Sequence, residues 1–213
     1  MILGHEKNRT QKGSLEVICG PMFSGKSEEL IRRLRRAKIA RQTVITFKNS
    51  LDDRHQHAIE YVVSHDGNKL SARPVESLDE ILQLALHPDV DVVGIDEVQF
   101  FAQEIIPIMC ELIEAGKRVV TAGLDLDFRG VPFGPMPILL AIADKITKLR
   151  AICSICGLDA HFTQRLVNGE PARYDDPIIL VGAEEAYQAR CRTCFTIDKA
   201  HPFTKIGYEQ LNF

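Results

Sequence analysis

Near the start of the chain, Gly20-Pro21-Met22-Phe23-Ser24-Gly25-Lys26-Ser27 has the pattern G-x-x-x-x-G-K-S and follows directly on the apolar run Leu15-Glu16-Val17-Ile18-Cys19. No other feature constrains the fold as strongly. A buried strand must deliver the chain to a tight turn, glycines must let backbone N–H groups face inward, and a helix must open at Lys26. Such a turn cradles phosphate, because the inward N–H groups and the positive end of the helix dipole attract the same anion. Lys26 then reaches the β- and γ-phosphates of a nucleotide and Ser27 Oγ ligates Mg²⁺. The competing reading, a glycine-rich turn that happens to precede a helix, is disfavoured by the strand before it and the helix after it.

Downstream, Leu30, Ile31, Leu34 and Ala37 recur at helical spacing, with Arg32, Arg33, Arg35 and Arg36 between them. This predicts a helix whose arginines form a solvated face, a subunit or nucleotide contact being the alternative for that run. Buried strands are expected at 43–47, 90–96 and 118–123. Helices are expected from the Ser77-Leu78-Asp79-Glu80 capping box to about Leu86, and over inward Ile105, Ile108, Met109 and Leu112 with Gly116 as cap. Strand and helix in alternation with short connections predict a phosphate-loop, RecA-like α/β fold, a parallel sheet covered by helices on both faces. Residues 48–70 are polar and irregular, read as a loop with an edge strand at Tyr61–Val63; His55 and His57 there are read as solvated.

The character changes near residue 151. Periodic helices stop, and Asn168-Gly169 after Phe162–Val167 signals a hairpin. The expected organisation is a frayed lead-in over 1–13, an ATP-binding domain over 14–150, a small β-rich satellite over 151–204 and a tail over 205–213. Cys153-Ser154-Ile155-Cys156 and Cys191-Arg192-Thr193-Cys194 bracket that satellite. Two C-x-x-C knuckles close a tetrahedral Zn²⁺ shell with no open position, so the site is read as structural zinc clipping a long loop at its base, with redox chemistry as the rival. His161 lies between the pairs, but four thiolates already satisfy zinc.

The chain's 213 residues carry a formal net charge of −3, and residues 151–213 hold six Lys/Arg against eight Asp/Glu. Neither the whole chain nor the satellite has the basic field that holds nucleic acid. No apolar run approaches the ~20 residues that span a bilayer, and Met1-Ile2-Leu3-Gly4-His5-Glu6-Lys7 lacks a signal-peptide core, so the expected address is the cytoplasm, with no membrane partner.

Two further constellations carry chemistry. Asp96-Glu97 ends an apolar strand, where a carboxylate lies beside the phosphate loop and can hold the Mg²⁺ shell. Asp96 takes that role. Glu97 is expected to diverge from it, as neighbours on a strand do, and to act as a general base; a solvated pair, or a base that activates water, are the alternatives. The run from Gly123-Leu124-Asp125 through Phe128-Arg129-Gly130 to Pro132-Phe133-Gly134 leaves a strand end as a Gly/Pro-rich loop. Loops there bind ligands in open α/β sheets, and its phenylalanines either stack on a base or anchor the loop in the core.

Together with Asp96-Glu97-Val98-Gln99-Phe100-Phe101, these motifs resemble the type II thymidine kinases over residues 14–204. The resemblance implies transfer of the ATP γ-phosphoryl group to the 5′-hydroxyl of thymidine or deoxyuridine in nucleotide salvage, a homotetramer, and dTTP as feedback ligand. It implies Glu97 as base, and Gly20 through Ser27 with Asp96 and Gln99 around the ATP phosphates. Ser27, Asp96 and Asp52 would be the magnesium side, although the doubled Asp52-Asp53 leaves that register open. Met22, Phe100, Leu124, Phe128 and Phe133 would wall the thymine ring, Phe128 stacking on it. Leu180, Val181, Gly182 and Tyr187 would belong to a zinc-anchored lasso that reads the base edge and approaches the sugar. Val98 stands where the family commonly has a small residue. A RecA-like ATPase with a zinc ribbon, in which Glu97 activates water, is the rival function, and a zinc-ribbon nucleic-acid module the third.

Overall fold

The computed structural model describes residues 12–49, 61–63, 69–75, 77–178 and 185–199. The chain runs through β1 (Ser14–Cys19), α1 (Lys26–Ile39), β2 (Val44–Asn49), β3 (Tyr61–Val63), β4 (Lys69–Ser71), β5 (Arg73–Val75) and α2 (Leu78–Ala85). It continues with β6 (Val92–Asp96), α3 (Ile105–Glu114), β7 (Arg118–Gly123), α4 (Met136–Ile142) and β8 (Lys145–Lys148). Six of these strands form one sheet in the order β5-β2-β6-β7-β1-β8, every pairing parallel.

Strands buried on both faces explain the near-continuous apolar runs. In β1, Leu15, Val17 and Cys19 join a core with Ile81 of α2, Met109 and Leu112 of α3 and Met136 and Leu139 of α4. Ile18 points the other way, into a second core with Leu30, Ile31, Leu34 and Ala37 of α1. Close packing of α1 on the sheet depends on Gly94, where a Cβ would lie 2.4 Å from Leu34 Cδ1. Ser77 Oγ accepts the Glu80 N–H at 3.3 Å, as the capping box requires, and Gly116, at φ +84°, closes α3.

The structure corrects several expectations. Arg33 does not belong to a solvated face: it is 5% exposed and donates to Glu16 at 2.7 Å, Glu29 at 2.8 Å and Thr147 at 2.7 Å. Glu16 on β1 faces α1, so the helix must meet it with a cation. Desolvation opposes ionisation of Glu16, but Arg118 and Arg33 together hold its carboxyl below the usual range; hydrogen bonding from Arg32, with Arg33, draws Glu29 down to about 2 against desolvation. The expected strand at Tyr61–Val63 is present, and it pairs antiparallel with β4 in a two-stranded sheet apart from the main one. The sheet's edges are β5 and β8, neither expected, and α4 follows a proline-rich loop that masks it.

Beyond β8 come β9 (Ala151–Ile152), β10 (Asp159–Ala160), β11 (Phe162–Val167), β12 (Glu170–Pro171) and β13 (Glu185–Arg190). β9 pairs with β10, and β11 lies between β12 and β13, all antiparallel. Asn168 at φ +52° and Gly169 at φ +84° make the two-residue turn between β11 and β12. No helix among the described residues is long and apolar enough to cross a membrane.

Candidate active site

β1 and β6 end on the same side of the sheet, separated only by β7. The loop leaving β1 begins at Gly20, φ +144°, where a Cβ would sit 2.5 Å from the Leu149 carbonyl oxygen. The Pro21 carbonyl accepts both Ser24 Oγ and Lys26 Nζ at 2.8 Å, drawing the lysine back over the loop. Gly25 at φ +81° turns the chain into α1, whose first residues are Lys26 and Ser27. Phe23, also left-handed at φ +65°, stands half exposed at the loop's crest.

Ser27 Oγ donates to Asp96 Oδ2 at 3.1 Å, so the loop from β1 and the carboxylate from β6 meet. Adjacent oxygens around a six-coordinate Mg²⁺ at about 2.1 Å lie roughly 3 Å apart, and this hydroxyl and carboxylate suit such a shell. The other oxygen of Asp96 accepts the Glu97 N–H at 3.0 Å.

Glu97 does diverge from Asp96, but not by strand alternation. β6 ends at Asp96, and Glu97 adopts φ +49°, ψ +42°, the left-handed region, before a short 3-10 turn over Val98–Phe100. Gln99 in that turn is buried; its Nε2 donates to Glu97 Oε2 at 2.5 Å and its Oε1 accepts the Leu124 N–H at 3.0 Å. The side chain expected beside the ATP phosphates is thus turned to Glu97 and Leu124.

Gln99 thereby links Glu97 to the loop after β7, which carries Leu124, Phe128 and Phe133. Phe100 and Phe133 meet edge to face, with ring centroids 5.6 Å apart, and Leu124 is buried. Phe128, 4% exposed, belongs to none of the apolar clusters; instead the Arg165 guanidinium carbon lies 4.9 Å from its ring centroid and that of Arg129 6.0 Å. Buried Asp127 shapes the loop by accepting the N–H groups of Arg129 and Val131, and Asp125 pairs with Lys148 at 2.7 Å.

Thr163 and Arg165 were missed in the sequence. Both lie on β11, two apart and hence on one face. Thr163 Oγ1 accepts the Met22 N–H at 3.0 Å, and Arg165 donates to the Pro177 carbonyl and stands opposite Tyr187 of β13. The Asn168-Gly169 turn signals a strand over 162–167, but it does not say which face meets the phosphate loop. Asp52, Leu180, Val181 and Gly182 lie outside the described residues, as do His55 and His57.

Farther along, the Sγ atoms of Cys153, Cys156, Cys191 and Cys194 lie within 4.8 Å of one another, those of Cys156 and Cys191 being 3.6 Å apart. Four thiolates at about 2.3 Å from Zn²⁺ stand roughly 3.8 Å apart, so the donor set and its size fit that ion. The hydrogen bond with Cys191, then desolvation and the other thiols, pushes Cys194 up to about 12; Cys153, despite desolvation, is drawn down to about 6 by backbone N–H donors. A bound dication is what lets all four ionise together. The backbone of His161 bonds Arg190, and its ring is not part of this cluster.

A model of the thymidine kinase family matches residues 13–195. A thymidine kinase of Coprothermobacter proteolyticus is 60% identical over 182 residues, 85% of this chain and 90% of that protein. The match runs from the strand before the phosphate loop through the second cysteine pair, and the chain belongs to the thymidine kinase family.

Proposed function

We propose that this protein transfers the γ-phosphoryl group of ATP to the 5′-hydroxyl of thymidine, and of deoxyuridine, producing the monophosphate for nucleotide salvage. What supports this reading is that Glu97 is tied in two directions: to Asp96, which Ser27 Oγ reaches, and through Gln99 to Leu124, at the head of the loop that carries Phe128 and Phe133. A carboxylate between a phosphate cradle and an apolar, aromatic pocket suits a neutral nucleoside acceptor better than water.

In this reading the inward N–H groups of the phosphate loop beyond Met22 and the Lys26 ammonium hold the phosphates in line. Mg²⁺ bound with ATP neutralises charge on the phosphate oxygens, and Ser27 and Asp96 are the described residues that would hold it. Glu97 accepts the 5′-hydroxyl proton as the new O–P bond forms, and the bond to the bridging oxygen breaks with its electron pair leaving on ADP. Phe128, backed by Arg165, stacks on the base; Met22, Leu124, Phe100 and Phe133 wall it. Leu180, Val181 and Gly182 read its edge and Tyr187 approaches the sugar. Zinc on the four cysteines keeps the ends of that loop together, and thiols kept for metal suit a reducing compartment, the cytoplasm. The same proposal includes dTTP as feedback ligand and a homotetramer.

ADP formation measured with and without thymidine tests the reading. ADP should accumulate only with thymidine, in step with thymidine monophosphate. Equal ADP release without nucleoside would instead mark an ATPase in which Glu97 activates water.

A further inference from the structure

The amide of Gln99 has only one orientation available to it. The Leu124 backbone N–H can only donate, so the amide oxygen must face Leu124 and the NH₂ group must face the Glu97 carboxylate. The side chain is 2% exposed, so water does not compete for either end. Its seat is made by two glycines: a Cβ at Gly123 would lie 2.7 Å from Gln99 Oε1, and one at Gly134 would lie 2.3 Å from the Gln99 carbonyl oxygen. Asn49 Nδ2 donates to the Phe100 carbonyl at 3.2 Å, anchoring the end of the same turn to β2.

Glu97 needs such a constraint. A left-handed residue that is not glycine persists where its surroundings over-determine it. Asp96 accepts its N–H, the Phe100 N–H donates to its carbonyl at 3.1 Å, and Gln99 holds its carboxylate. The first two contacts act on the backbone; the third acts on the rotation of the side chain.

We infer that Gln99 is a positioning residue for Glu97: it sets the rotation of the carboxylate and ties it to the loop carrying Leu124 and Phe128, so that proton acceptor and nucleoside wall keep one geometry. Both ends of its amide are committed to this task, which is not the phosphate contact expected from the sequence. The inference rests on the proposal that Glu97 is the proton acceptor.

The test uses Gln99→Glu, which keeps an oxygen for the Leu124 N–H but removes the donor to Glu97, and Gln99→Leu, which removes both and carries the same test should the first variant unfold. Each should lower kcat about 10- to 100-fold while leaving the KM values for thymidine and ATP within about threefold. Added to Glu97→Gln, neither should lower kcat further, because the residue through which Gln99 acts is already disabled. A wild-type kcat in either folded variant, a raised ATP KM with kcat unchanged, or losses that multiply in the double variants would overturn the inference. A wild-type kcat in Glu97→Gln alone would overturn the base assignment itself, a separate result.

Discussion

Met22 in the phosphate loop donates its backbone N–H to the hydroxyl of Thr163 at 3.0 Å, across 141 positions of sequence. β11 therefore carries both a support for the loop after β1 and, two residues later, the arginine that backs Phe128. Judged from the sequence, the zinc-bracketed region concerns the nucleoside alone; this bond extends its reach to the phosphate loop.

Cys191→Ser accordingly should lose stoichiometric zinc and weaken both substrates, thymidine by about tenfold or more and ATP less, since β13 pairs with β11 along its length. Metal content and the two KM values, determined on one preparation, check this. Unchanged KM values in zinc-free protein would separate the cysteine cluster from the site.

Lys26→Ala removes the cation that lies over the loop at the Pro21 carbonyl. One oriented charge of this kind is worth several kcal/mol in the transition state, so turnover should fall by about 10³-fold or more. Thymidine binding, followed by calorimetry, should change little. Wild-type turnover would remove the phosphate loop from the mechanism.

Phe128→Ala should leave a folded protein, because the ring packs on Arg165 rather than within an apolar cluster. Stacking on a base is worth about 1–3 kcal/mol, which places the rise in thymidine KM at roughly ten- to hundred-fold with ATP little affected. Equal loss of both substrates, or unfolding, would return Phe128 to an anchoring role.

Arg33→Met leaves buried Glu16 with Arg118 as its remaining cation and removes one partner of Glu29. Breaking a buried pair costs about 3–5 kcal/mol, and urea denaturation at pH 7 should show a loss approaching that. Because the carboxyl of Glu29 falls from its ordinary 4.5 to about 2 in the folded protein, its share of stability is present above pH 4.5 and is lost as the pH falls towards 2. Arg32, the larger cause of that shift, remains in the variant, so the gap between wild type and variant should narrow over that interval only by the part that Arg33 supplies. A gap that persists unchanged near pH 2 would assign the effect to packing alone.

What the sequence determined by itself is local. The phosphate loop, the strand at Arg118–Gly123, the inward residues of α3 and the Asn168-Gly169 turn depend on periodicity and backbone stereochemistry carried within a few neighbouring residues. The two C-x-x-C pairs were legible for the same reason, each knuckle being a local shape. Short edge strands escaped notice: β8 reads Lys-Ile-Thr-Lys, polar enough to pass for a loop, and acquires its identity only by pairing with β1.

Tertiary structure alone decided the rest. Arg33 resembles its neighbours in the arginine run, and only Glu16 on a strand beneath the helix requires it to be buried. Nothing near Glu97 announces a left-handed backbone. That conformation exists because Asp96, Phe100 and Gln99 converge on one residue, with Leu124 and two glycines from distant segments holding Gln99 in place. Thr163 supports the phosphate loop only because the fold sets β11 against it. The physical reason is one of range: turn and periodic preferences act along a few bonds of chain, whereas burial of a charge and the aim of a carboxylate are settled by groups that meet only when the sheet has assembled.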